Sequence, residues 1–166
     1  MDNKLTNNKK TKILFICLGN ICRSPAAEEI MRQTIARAGA GDRIEVDSAG
    51  TYGGHRGDLP DYRMRYAASK RGYDLTHRSR LVREEDFENF DLLIVMDDMN
   101  YETVHRLAPS RALAAKIERM RDYLSADKFP DRTYIPDPYY EGAEGFELVL
   151  DMLEDACQNL FVKVAL

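Results

Sequence analysis

The chain is poor in cysteine, with three in 166 residues. An odd count without paired spacing excludes a disulfide-stapled secreted scaffold and fits a reducing, cytoplasmic setting. Long apolar runs are missing too, and none approaches the ~20 residues of a membrane-spanning helix, so no membrane partner is expected. The first ten residues are polar and lysine-bearing, with no apolar core of signal-peptide kind. They are expected to form a disordered tail (1–10) ahead of one domain (11–166). An excess of positive charge is also absent. The formal net charge is −4, which argues against a general nucleic-acid binder. Neither repeats nor low-complexity blocks occur. What remains is ordinary globular composition, 44% apolar and 31% charged, with enough length for one full core.

The most informative stretch is Cys17-Leu18-Gly19-Asn20-Ile21-Cys22-Arg23-Ser24-Pro25. An apolar run, Ile13 to Ile16, precedes it and reads as a buried strand. A helix start signal ends it, with Ser24 as N-cap and Pro25 at the first helical position. A strand, a short loop and a helix in that order aim backbone N–H groups and a positive helix end at one spot, which suits an anion. A cysteine on that loop is a candidate nucleophile. Arg23 lies six positions after Cys17 and can swing its planar fork of donors over the same spot. A cation in a first helical turn opposes the dipole unless an anion lies between. Gly19 and Asn20 suit the positive φ that a loop wrapped round an anion needs. The Ser24 hydroxyl can serve both as cap and as a hydrogen-bond donor to sulfur. Together these groups suit attack on a phosphate monoester at phosphorus.

Taken in order, strands are expected over 12–17, 43–49 and 90–96, with a weak fourth within 116–124. The second alternates apolar with charged residues, as an edge strand does. Helices are expected over 24–38, from Pro60 to Gly72, from Asp97 or Asp98 to Pro109, and along the apolar stripe Phe146 to Val164. The glycines of 50–59 make a flexible loop, and 77–83 is an arginine-rich connection. Strands alternating with helices give an α/β chain with a parallel sheet covered on both faces, and ligands bind beyond the carboxyl ends of its strands.

A cleaved ester also needs a proton for its leaving group. Asp137, stiffened between Pro136 and Pro138, is the candidate for donating it and later activating water. From spacing alone a plain turn remains the alternative, and Asp97 and Asp98 are rivals for the role, although helix capping accounts for one of them and solvent for the other. Tyr139 and Tyr140 either wall a pocket for a flat ring or anchor the loop. Cys157 falls on the last apolar stripe and reads as core. A zinc site on Cys17 and Cys22 has no second ligand pair.

The string C-x-G-N-x-C-R-S-P and the later D-P-Y-Y resemble the low-molecular-weight protein-tyrosine phosphatase family, over nearly the whole chain. The resemblance implies a three-layer α/β fold of flavodoxin-like type with a four-stranded parallel sheet. It implies a metal-free, cofactor-free enzyme that hydrolyses phosphotyrosine through a cysteinyl-phosphate. Cys17 would attack, Arg23 and the loop 18–24 would hold the phosphoryl oxygens, and Asp137 would be acid and then base. Ser48 and His77 match positions that support the loop through Asn20. The resemblance further implies a reversible Cys17–Cys22 disulfide, and a tyrosine pair that lines the crevice and can be phosphorylated. Substrates would be phosphotyrosine proteins, a tyrosine kinase among them, met by a monomer. One departure stands out: the family's aromatic six positions beyond the serine is replaced by Gly54, with Tyr52 nearby, so either Tyr52 substitutes or the crevice is wider there. Two rivals remain. An arsenate reductase on this fold needs further cysteines, and only Cys157 lies downstream. A non-catalytic phosphate- or flavin-binding module has no need of Asp137.

Overall fold

The computed structural model describes residues 9–166, so most of the tail expected over 1–10 lies outside the described residues. Its centre is β1 (Thr11–Cys17), whose residues Ile13, Leu14, Phe15 and Ile16 are all fully buried. Side chains alternate across a strand, so the apolar run feeds two cores. Ile13, Phe15 and Cys17 join the larger one, beneath α1 (Arg23–Arg37), α2 (Tyr62–Ser69) and α6 (Ala143–Ala165). Leu14 and Ile16 join the smaller one, with Phe87 of α3 (Asp86–Asn89), Val104 of α4 (Asp98–Leu107) and the edge of α5 (Arg111–Ala114).

The sheet is parallel throughout, in the order β2-β1-β3-β4, with β2 (Ile44–Gly50), β3 (Leu92–Val95) and β4 (Ile117–Arg119). This is the expected three-layer α/β architecture, with β2 at an edge as its alternation implied. The chain moves outward from β1 to β2 and then returns to the other side of β1 for β3. The loops after β1 and β3 therefore diverge to opposite faces and leave a crevice between them. Cys17 ends one of those strands, and Asp97 follows the other.

Several boundaries differ from expectation. The third strand is shorter than 90–96, and the fourth passes at once into a 3₁₀ turn (Met120–Tyr123). The helices α3 and α5 have four residues each, too few to show a period. Asp61, not Pro60, caps α2, its carboxylate accepting the Arg63 N–H at 2.9 Å. On α1, Ala27, Ile30, Met31 and Ile35 are buried, but Thr34 is only partly covered and Ala38 is exposed, because the helix ends there and Gly39 turns away at φ +66°. Asp97 caps α4, its carboxylate accepting from the Asn100 N–H at 2.9 Å.

Candidate active site

The expected N-cap at Ser24 is not what forms. α1 begins at Arg23 with Cys22 in the cap position, and no side chain caps it. Pro25 is therefore the third helical residue, where its missing N–H costs no intrahelical bond. The Ser24 hydroxyl is drawn inward instead. It lies 2.9 Å from Cys17 Sγ, accepts the Asn20 Nδ2 at 2.8 Å and reaches the Ala49 carbonyl at 3.3 Å. The Ser24 N–H points at Cys17 Sγ from 3.4 Å. Ser24, free of capping, sets a hydroxyl and an N–H on the sulfur.

Asn20 locks the loop. Its backbone is left-handed, φ 57°, a conformation that asparagine tolerates better than most residues, whereas Gly19, also expected at positive φ, does not adopt it. Its side chain donates to Ser24 and to Ser48 Oγ at 3.0 Å, and its carbonyl accepts the Arg80 N–H at 3.0 Å and faces His77 Nε2 at 2.9 Å. Ser48 in turn donates to Glu28 Oε1 at 2.7 Å, and His77 Nδ1 lies 3.1 Å from the same oxygen. Glu28, Asp47 and His77 bring ligand-type atoms within 4.8 Å of one another. Their carboxylates are already matched by Arg32 at 2.6 Å and Arg80 at 3.1 Å, so the cluster is a charge-balanced brace behind the loop. Gly50, at the end of β2, makes the close approach possible: a Cβ there would stand 2.6 Å from the Leu18 carbonyl.

Arg23 is 2% exposed, so it is no surface residue. Its Nη1 donates to Asp97 Oδ2 at 2.7 Å and to the Ile135 carbonyl at 3.0 Å, while Nη2 lies 3.6 Å from Asp137 Oδ2. Burial works against its charge, but Cys17, Asp97 and Asp137 more than offset that, and its pKa is raised. A fixed cation results. Asp137 is exposed, and its carboxylate also accepts the Tyr139 N–H at 3.1 Å. The two loop cysteines are both free thiols. Burial first, then the charge of Cys17, pushes the Cys22 thiol far up, so it stays protonated at neutral pH.

Cys17, Arg23 and Asp137 meet in a cleft of about 260 Å3, whose floor includes Gly19, Ile21 and Cys22. Leu18 stands at its edge, 40% exposed. Tyr139 and Tyr140 form one wall, their rings edge to face at 4.9 Å. Tyr52 lines the cleft too, with His55 beside it, and its ring lies against Gly54, so Tyr52 does occupy the region left open there. Every site residue expected from the sequence lies in this cleft or directly behind it.

The sequence does not show the part that four residues play. Asp97 reads there as a cap, and it is one, but its other oxygen holds Arg23. Glu28 looked like any helix-surface acid. Ser79 donates to the Gly19 carbonyl at 2.9 Å from an arginine-rich stretch that reads as solvated. His55 sits in a glycine-rich loop. Only the strand order that places Asp97 across the crevice from Cys17 could have raised one of them. Among the arginines of 77–83, Arg80 is committed to Asp47 and Asp86, and Arg78 to the Gly57 carbonyl at 3.2 Å, which favours a structural use.

Comparison with known proteins agrees with this geometry. The family model for low molecular weight phosphotyrosine protein phosphatase matches residues 12–166. A relative from Synechocystis named "Putative low molecular weight protein-tyrosine-phosphatase" is 50% identical over 153 residues, covering 92% of this chain and 96% of the relative. The human low molecular weight phosphotyrosine protein phosphatase is 34% identical over 152 residues, covering 91% and 94%. Among solved structures, a protein tyrosine phosphatase from Entamoeba histolytica superposes with a TM-score of 0.89 at 43% identity, covering 94% of this chain and 97% of that one.

Proposed function

The chain belongs to the low molecular weight phosphotyrosine protein phosphatase family, and we propose that it hydrolyses phosphotyrosine through a phosphate ester formed on Cys17. The observation that carries this reading is the setting of Cys17 Sγ, held between the Ser24 hydroxyl at 2.9 Å and the Ser24 N–H at 3.4 Å on the floor of a cleft whose rim bears Asp137. The sulfur attacks phosphorus in line with the tyrosine oxygen. Loop amides of 18–24 and the Arg23 guanidinium take the three equatorial oxygens as charge spreads over them. Asp137 gives its proton to the departing phenolate, then removes one from the water that attacks the cysteinyl-phosphate. The Ser24 hydroxyl donates to the thiolate as it leaves.

The exposed position of Asp137 suits both halves of its role, since the leaving group and then the attacking water must reach it in turn, and the proton it takes from that water replaces the one it gave. Tyr139, Tyr140 and Tyr52 suit a flat leaving group. The brace of Ser48 and His77 acts through Asn20 and touches no reacting atom. Substrates of this kind are phosphotyrosine proteins, and a phosphorylated tyrosine kinase is the expected natural one, met by a monomer in the cytoplasm. Tyrosine-phosphorylation levels in cells expressing a trapping variant would test the first point, and sedimentation would test the second.

The rivals fare worse. A thiol relay through Cys157 needs that sulfur to reach Cys17, but it is fully buried in α6 with its thiol against the Ala27 carbonyl, and burial raises its pKa strongly. The deciding experiment is hydrolysis of para-nitrophenyl phosphate and a phosphotyrosine peptide with EDTA present. Wild type should turn over both, and Cys17→Ser neither. Arsenate reduction by an enzyme inert to both esters would sink the proposal.

A further inference from the structure

Gly54 has no backbone reason to be glycine. The positive φ values fall at Asn20, Gly39, Gly57 and Gly72, and Gly54 is not among them. What the position lacks is room. A Cβ built on Gly54 would land on the Tyr52 ring, against Cε1, Cζ and Oη, and all three of its nearest neighbours belong to that ring. The Tyr52 ring thus lies back across residue 54, in the volume a side chain would fill. From there it meets His55 edge to face, with ring centroids 6.1 Å apart and planes at 77°. The imidazole in turn covers the phosphate loop, its Cδ2 standing 3.1 Å from a Cβ built on Gly19. Both rings line the cleft that holds Cys17, together with the tyrosine pair.

We infer that Gly54 is a specificity-determining positioning residue, whose missing side chain seats the Tyr52 ring against His55 and so sets the wall that receives the aryl group of the substrate. This rests on the phosphatase reading above. Tyr52 is 55% exposed and belongs to no core cluster, so a side chain at 54 displaces the ring without disturbing the fold. The phosphate-holding loop stays as it is. Only the part of the cleft that meets the leaving group changes. The quantity under the control of Gly54 is therefore preference for an aryl over an alkyl phosphate, and not phosphate binding itself.

The test compares wild type, Gly54→Ala, Tyr52→Ala and the double variant on phenyl phosphate and on an alkyl phosphate monoester, with inorganic phosphate as inhibitor and a thermal melt to verify folding. Losing one ring-on-ring contact corresponds to about a three- to tenfold change. Gly54→Ala should raise KM for phenyl phosphate by that factor and leave KM for the alkyl ester and the inhibition constant of phosphate in place. Tyr52→Ala should match it. Adding Gly54→Ala to Tyr52→Ala should then cost nothing more, because no ring remains to displace. The inference is overturned if Gly54→Ala leaves the aryl KM unchanged, if it costs as much in the Tyr52→Ala background, or if phosphate inhibition weakens in parallel. A folded wild type inert to both esters overturns the phosphatase reading and this inference with it. An active wild type with an indifferent Gly54→Ala overturns the inference alone.

Discussion

The loop after β1 and the segment before α6 face each other across one cleft and are built in opposite ways. In the first, Asn20 and Ser24 are fully buried, Arg23 is 2% exposed, and Asn20 alone makes four hydrogen bonds, to Ser24, Ser48, His77 and the Arg80 N–H. In the second, Asp137 is exposed with one hydrogen bond to Tyr139 and one loose ion pair, and Tyr140 is 91% exposed. The contrast follows from what each must do. Groups that meet a developing charge work best when they need no reorganisation during the step. A group that trades protons with water and must clear for a bulky substrate cannot be sealed in. The two are tied at Arg23, which contacts Asp97, Asp137 and the Ile135 carbonyl.

Changing each side in turn should separate the two designs. Asp137→Asn should lower kcat on a phosphotyrosine peptide by roughly 10²- to 10⁴-fold, the range for a lost general acid. Its melting temperature should hold, because an exposed side chain contributes little to stability. Esters with better leaving groups should lose less. A uniform loss across leaving groups would argue that Asp137 acts only as a base or a structural group.

Asn20→Ala should do the reverse. It strips four partners from a buried site and leaves a left-handed backbone on a residue ill suited to it, at a cost of roughly 2–4 kcal/mol. Denaturant titration should show that loss directly. An Asn20→Ala protein of native stability would mean that the brace behind the loop is ornamental.

Asp97→Asn tests the tie between the halves. The cap to Asn100 survives as an amide oxygen, but the charge holding Arg23 is gone, and about a tenfold drop in kcat is expected at nearly unchanged stability. An equal drop in thermal stability and activity would show that Asp97 matters only as a cap. The smallest effect lies in alkaline stability. Burial raises the pKa of both Cys22 and Cys157 from their ordinary value of 9.0. The unfolded chain then loses those protons first, so stability is fully present below pH ~9 and falls above it, by at most about 1.4 kcal/mol per pH unit for each thiol. Cys157→Ala should flatten that slope when urea midpoints are followed upward from neutral pH. An unchanged slope would place the alkaline loss elsewhere.

Legibility from sequence divided along the same line. The loop after β1 could be read because its chemistry is packed into nine consecutive residues, and because an apolar run and a proline fix the strand and helix around it. The sheet could be read from two apolar runs and one alternating stretch. Asp137 could not be separated from an ordinary turn by spacing, since its partner Arg23 lies 112 positions of backbone from the Ile135 carbonyl that it also holds. Asp97 and Glu28 were hidden by having a sufficient local explanation, a cap and a solvated helix face. The expected N-cap at Ser24 fails for a related reason: a serine before a proline is a good local signal, and it loses to a tertiary demand on the hydroxyl. Pairings set by strand order carry no mark in the local sequence.

The most direct test of the central claim is to quench the enzyme in acid during turnover of a phosphotyrosine peptide and map the phosphate by mass spectrometry. A phosphate on Cys17, missing from Cys17→Ser, is the expected result. Undiminished turnover by Cys17→Ser, or a phosphate carried on any other residue, would contradict it.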